Sequence, residues 1–157
     1  MFIDVNYLLN SGLLISDEIS TERLEMAIKT TELYVVKPRL TDEKYIEITS
    51  NPTEYETLLE GGIVTDENGK QFYVAGLKSA MCHLTFAFLL RDNLNVTSFS
   101  TVRKTDDYSE NVGDDKIGIV GMQHGEIGMQ YLKEITDYLH IKYDRKNLPN
   151  TYFSEYL

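Results

Sequence analysis

The chain has 157 residues, an apolar fraction of 42% and a formal net charge of −10. One domain of this length can bury enough surface to fold without disulfides or metals. This acidity argues against binding to nucleic acid or to an anionic membrane, because binding to either requires clustered Lys and Arg. The excess of acids is concentrated in residues 1–70, which hold 14 acids and 6 bases.

Cysteine usage and the amino-terminal segment indicate synthesis in the cytosol. Cys82 is the single cysteine and stands in an apolar run, which predicts a small buried hydrophobe. The apolar start of the chain lacks a positive region and carries Asp4, so no signal peptide is expected. No apolar run reaches the roughly 18 residues that a membrane helix needs.

The first elements are predicted from apolar spacing and capping residues. Residues 1–15 are apolar and predict a strand or an extended arm. A helix is predicted over about 21–36, with Ser20 or Thr21 as its cap. It is expected to stop before Pro38, because the residue preceding a proline avoids helical backbone angles.

Three further signals predict two short helices and a hairpin. Thr41-Asp42-Glu43 begins one helix, and Asn51-Pro52 begins another that ends at Gly61-Gly62. Asn68-Gly69 separates two β-prone runs, 63–65 and 71–74, which predicts a β-hairpin that projects from the helices.

The remainder is predicted to be mostly helical. Residues 75–91 form a helix that is apolar nearly all round, which indicates a central helix or one buried between subunits. A strand over 96–102 and a polar loop over 104–113 follow. Gly118 and Gly121 leave 116–121 undecided, and the last helix is expected over about 122–142.

The predicted fold is therefore mainly α, a helical bundle with a small β-hairpin and extended terminal arms. We expect a single domain, 1–157, with a helical core of about 18–142. The amino-terminal arm comprises 1–15 and the carboxy-terminal tail 147–157.

A search for catalytic or metal-binding motifs finds none that is specific. The three histidines have no zinc-type spacing, and His83 and Cys82 are adjacent on a helix, so they point about 100° apart. Four aspartates of the 104–115 region do not match an EF-hand: Asp106, Asp107, Asp114 and Asp115. Widely spaced glycines make no phosphate cradle, and G-x-S-x-G is absent. We therefore expect no enzyme, no cofactor and no metal.

Apolar and aromatic side chains at both ends and on the hairpin predict an interaction surface, since free termini are normally polar. The alternative is that the ends fold back on their own domain. The candidate interface residues are Phe2, Ile3, Val5, Phe72, Tyr73, Tyr152, Phe153, Tyr156 and Leu157.

The order of elements resembles that of the small helical head–tail connector, or adaptor, proteins of tailed phages. The resemblance covers roughly residues 18–142. It is carried by Leu24-x-x-Ala27-Ile28 running to Pro38, by Tyr55-x-x-Leu58-Leu59 before Gly-Gly, and by Ala75-Gly76-Leu77-Lys78-x-Ala80. The segment from Asn95-Val96-Thr97 through Asp106-Asp107-Tyr108-Ser109 is similar to connectors of crAss-like and other gut Bacteroidetes phages.

This resemblance implies a virion structural protein made in the host cytoplasm. It would form a homo-oligomeric, dodecameric ring beneath the portal protein at the head–tail junction. Its partners would be the portal and other connector or tail proteins, and genome DNA would pass through the lumen without specific binding. The family has no catalytic residues to transfer to this chain.

Two other classes of function stay open. An acidic inhibitor or DNA mimic would carry an acidic stripe on one face and would not self-associate. A hydrolase or metal-dependent enzyme would use the loop carboxylates together with His124.

Overall fold

The computed structural model describes residues 1–15, 19–66, 68–91 and 114–140, with the backbone alone for 114–117. The predicted fold class is confirmed: the protein is mainly helical and carries a two-stranded antiparallel sheet. A contiguous cluster of buried apolar side chains extends from Phe2 to Ile135. The predicted strand 96–102, the loop up to residue 113 and the tail 147–157 lie outside the described residues.

The amino-terminal segment is not the predicted strand or free arm. It contains a short helix, α1 (Val5–Leu9), begun by Asp4, whose Oδ1 accepts a hydrogen bond from the Tyr7 amide at 2.7 Å. Leu8 is fully buried, and Phe2 and Ile3 also belong to the core. Capping by Asp4 and burial of this apolar segment together favour the helix over an extended conformation.

Helix α2 (Thr21–Thr31) begins where the sequence predicted, but the helical backbone continues past Pro38. It passes through a π-helical turn, Glu32–Val36, into α3 (Lys37–Leu40). The Lys37 amide donates to the Glu32 carbonyl five residues earlier, which is the hydrogen-bond spacing of a π-helix. The α-helical spacing resumes with α3, which begins at Lys37. Pro38 then occupies the first turn of α3, where its missing N–H is tolerated.

Helix α4 (Asp42–Ser50) confirms the prediction made from Thr41, whose hydroxyl accepts a hydrogen bond from the Lys44 amide. The next helix, α5 (Glu56–Glu60), begins four residues after Pro52, later than predicted, and ends at Gly61. Residues 52–54 are exposed, whereas Leu58 and Leu59 are buried. Because packing supplies most helical stability, the helix forms only over the buried part.

The predicted hairpin is present as β1 (Gly62–Thr65) and β2 (Gln71–Val74). Ile63 pairs with Tyr73, and Val64 pairs with Phe72. Alternation of side chains puts the first pair on the outer face and the second pair on the face directed at the helices.

Helices α6 (Leu77–Arg91) and α7 (Asp114–Tyr138) form the largest helix–helix contact among the described elements. α7 starts before the predicted 122, directly after the predicted loop 104–113, so Asp114 and Asp115 lie in its first turn. Gly121 and Gly128 are buried against α6. Small residues let two helix backbones approach closely, so tertiary packing offsets the weak helix propensity of glycine.

Candidate functional site

The amino-terminal candidate residues pack on their own chain. Phe2 is 8% exposed and Ile3 is 3% exposed, and Val5 is partly buried against the same core. The Phe2 amide donates to Glu32 Oε2 at 3.1 Å, and the Phe2 ring meets the edge of Tyr45 at 5.5 Å. This is the fold-back arrangement that the sequence left open as the alternative.

Glu32 is a buried carboxylate that holds the amino-terminal segment to the helices. Its side chain is satisfied on both oxygens, because Tyr45 Oη donates to Oε1 at 2.6 Å while the Phe2 amide donates to Oε2. Burial, followed by the hydrogen bond to Glu32, raises the pKa of Tyr45 to about 12. A buried carboxylate that accepts two hydrogen bonds stabilises the fold by linking the segments that donate them. The periodicity of the sequence did not indicate this role for Glu32.

The hairpin candidates separate into two environments. Phe72 is partly buried, and its ring lies 6.4 Å from that of Tyr138 at the end of α7. Tyr73 is 72% exposed, and its cross-strand partner Ile63 is 64% exposed. The sequence predicted Tyr73 as an interface residue but not Ile63. The hairpin register pairs the two residues, so both lie on the same face of the sheet.

The outer hairpin face, defined here as Ile63, Thr65, Gln71 and Tyr73, carries no charged side chain. All four residues are exposed. In a chain in which 25% of residues are charged, an exposed strand face with one aliphatic–aromatic pair and no charge is typical of a contact surface. The remaining candidates, Tyr152, Phe153, Tyr156 and Leu157, lie outside the described residues.

A second exposed apolar region lies on the first half of α7. Its members are Ile119, Val120, Met122 and Ile127, each between 37% and 53% exposed. The opposite side of the same helix is buried against α6. α7 therefore joins the core through one face and presents apolar side chains to solvent on the other.

The segment 42–60 presents an acidic surface. It contains six acids and a single base, Lys44. Glu47 accepts hydrogen bonds from Lys44 and from Tyr55 Oη, and both partners lower the pKa of its carboxyl group. Except for the half-buried Glu47, these acids are exposed.

His83 of α6 and His124 of α7 lie opposite each other, which sequence reasoning did not foresee. Their Nδ1 atoms are 2.8 Å apart. The Phe86 ring meets the edge of His124 at 4.8 Å, and the Tyr131 ring meets that of His83 at 5.6 Å. The residues are 41 positions apart, so no local motif could pair them. The glycines of α7 are the sequence feature that could have indicated this pairing, since they mark the face of α7 that packs on α6.

A cavity of about 470 Å³ adjoins His83. Asp4, Tyr7 and Ser11 line one side, and Ser79 and Cys82 line the other. Burial raises the pKa of the Cys82 thiol to about 11, so the thiol stays protonated and is a poor nucleophile. Cys82 is buried, as its apolar surroundings in the sequence predicted.

Two residues of the metal-dependent alternative, Asp115 and His124, lie on the same helix, α7. Asp115 precedes His124 by nine residues on one helix, so about 14 Å of helix axis separates them. His124 Nδ1 is also engaged with His83. Across the described ranges, no three His, Cys, Asp or Glu side chains are grouped so as to hold a metal ion.

Together, the fold and these surfaces define a small, mainly helical protein with exposed apolar faces on its hairpin and on α7. Residues 35–150 match DUF6712, a family of unknown function, and the chain belongs to that family. The match begins in the π-helical turn, so α1 and α2 lie outside it. Neither a curated protein nor a solved structure matches the chain. None of the described helices is both long and apolar enough to span a bilayer.

Proposed function

We propose that this protein is a virion structural subunit that forms a ring at the phage head–tail junction, beneath the portal. The observation that carries the proposal is the uncharged outer hairpin face, with Ile63 and Tyr73 both exposed. The order of elements and the hydrophobic pattern over about 18–142, which resemble those of connector proteins, supply the class of assembly.

In such a ring, the helical core forms the wall and the outer hairpin face contacts a neighbouring subunit or the portal. Ile63 and Tyr73 offer apolar area without the cost of burying a charge. Each contact is small, but a closed ring, dodecameric by resemblance, repeats it in every subunit, so that many weak interfaces act together. The acidic surface, with six acids in 42–60, repels DNA and suits a conduit through which the genome slides without binding.

The first experiment is the mass of the purified protein, alone and mixed with the portal of the same phage. A large discrete ring in either condition supports the connector function. A protein that remains monomeric in both conditions contradicts it. Shortening the chain by removing Asn150–Leu157 is expected to weaken assembly while the monomer stays folded, and rings of normal size from this shorter chain would exclude a docking role for the tail.

Two substitutions test whether the hairpin face makes the contact. Ile63→Asp should abolish assembly with little change in the melting temperature, because the side chain is 64% exposed in the monomer. Ile46→Asp on α4 is the matched control, since that isoleucine is 60% exposed but lies off the hairpin. Assembly lost in Ile63→Asp and retained in Ile46→Asp locates the interface on the hairpin.

The second candidate function is that of an acidic inhibitor or DNA mimic, which the acidic surface of 42–60 favours. A mimic would bind a basic partner with strong salt dependence, because paired charges are screened by salt. Neutralising Glu54 and Glu56 together should then weaken binding to that partner without altering self-association.

A further inference from the structure

The imidazoles of His83 and His124 meet head-on and not face to face. Their ring centroids are 5.0 Å apart, while their Nδ1 atoms are 2.8 Å apart. The difference of 2.2 Å is close to twice the distance from an imidazole centre to its own nitrogen. This agreement requires each nitrogen to lie nearly on the line between the two ring centres, so the two nitrogens point at each other. The ring planes are inclined by only 20°.

This geometry admits one proton between the rings. At 2.8 Å one Nδ1 must donate and the other must accept, which requires opposite tautomers in two neutral rings. A first proton on the free Nε2 of the donating ring keeps this hydrogen bond and makes it charge-assisted. When the accepting ring is protonated as well, the N–H groups of two imidazolium rings point at each other across the same short gap, and the contact becomes repulsive.

We propose that the His83–His124 hydrogen bond is a proton-sensitive contact that holds α6 to α7 and opens in acid once both rings are protonated. It joins the two helices that form the largest helix–helix contact of the described fold. The inference stands apart from the proposed ring function, because it concerns the packing of one chain.

The surroundings of the rings favour the neutral pair. The Phe86 ring lies nearly perpendicular to that of His124, and the Tyr131 ring nearly perpendicular to that of His83. Within the described structure, the titratable groups beside His83 are Asp4 and Tyr7 from the α1 region, Cys82 from α6, and His124 and Tyr131 from α7. Burial lowers the pKa of both histidines below the ordinary 6.5, and the neighbouring His124 lowers that of His83 further.

The cavity beside His83 offers space into which a protonated His83 ring can rotate. His83 and Asp4 both line the 470 Å³ cavity, so an imidazolium turned away from His124 enters a space that a carboxylate borders. Asp4 Oδ1 caps α1 through the Tyr7 amide. Opening of the pair is therefore expected to disturb the start of α1 as well as the contact between α6 and α7.

The sign of the effect follows from linkage. Because the folded pKa of each histidine is lowered, the unfolded chain binds more protons below about pH 6.5. Stability is complete above that pH and is lost as the pH falls towards the folded pKa. The unfolding equilibrium constant should rise about tenfold per pH unit for each extra proton bound by the unfolded chain.

The test is an imidazole ¹H–¹⁵N spectrum of the full chain, recorded while the pH is lowered from about 7 to about 5. The chain has three histidines, so His140, which is exposed, serves as an internal reference. We expect opposite tautomers for His83 and His124 and titrations that are coupled to each other but independent of His140. Two rings with the same tautomer that titrate independently would overturn the proposal.

A variant pair provides a second measurement. His83→Gln together with His124→Gln removes both titrating groups and should flatten the fall in melting temperature between about pH 6.5 and 5. His140→Gln is the control and should retain the acid sensitivity of the unaltered chain. Equal acid sensitivity in all three proteins would count against the contact; if the double variant does not fold, the wild-type spectra decide.

Discussion

Replacing Gly128 with alanine tests the close packing of α6 against α7. A Cβ at this position would lie 2.6 Å from Leu84 Cγ and 3.0 Å from the Ala80 carbonyl oxygen. The carbonyl is backbone and Leu84 is fully buried, so neither neighbour can yield without a shift of helix or rotamer. Overpacking of this kind costs about 1–3 kcal/mol.

The same substitution also removes a glycine from a helix, which by itself favours folding by about 0.5–1 kcal/mol. The expected net loss for Gly128→Ala is therefore about 0–2.5 kcal/mol, so the variant should be less stable than one that has only the gain in helix propensity. In a protein of this size each kcal/mol lowers the melting temperature by about 2–4 °C.

Gly118→Ala is the matched control on the same helix. Its added Cβ would meet nothing within 4 Å, so only the gain in helix propensity remains and stability should rise. Gly121→Ala should fall between the two, because its nearest neighbour, Leu90 Cβ, is at an ordinary 3.5 Å. Urea unfolding followed by circular dichroism measures all three variants. If Gly128→Ala proves as stable as Gly118→Ala, the close approach of the helices at Gly128 is refuted.

Three further substitutions test the buried polar groups. Glu32→Gln should cost about 1–3 kcal/mol in urea unfolding, since both hydrogen bonds then lose their charged acceptor, whereas Glu25→Gln on exposed α2 surface should change stability little. Tyr45→Phe should reduce the loss of stability that accompanies a rise from pH 10 to about 12, because the raised phenol pKa stabilises the fold only while the hydroxyl is protonated. Tyr7, whose pKa is also raised to about 12, retains its share of that loss, and an unchanged alkaline profile in thermal melts would contradict the prediction. Thr85→Val should raise the melting temperature, since the buried Thr85 hydroxyl lacks a hydrogen-bond partner within the described residues, and a lower melting temperature would reveal a partner.

The sequence by itself determined the elements whose signals are local. Thr41 caps α4 through a side chain three residues from its donor, and Asn68-Gly69 places the hairpin turn. The apolar run of 75–91 produced the central helix α6. These predictions succeeded because capping, turn geometry and helical periodicity depend on residues only a few positions apart.

Tertiary contacts decided what those local signals could not. The helix that continues through Pro38 departs from the local prediction, and burial of Val36 and Leu40 stabilises it. Ile63 became a candidate only once its pairing with Tyr73 was known. Glu32 meets Phe2 across 30 residues, and His83 meets His124 across 41. Such contacts form only when whole helices dock, because the free energy that holds them comes from the core shared by both partners and not from either segment alone.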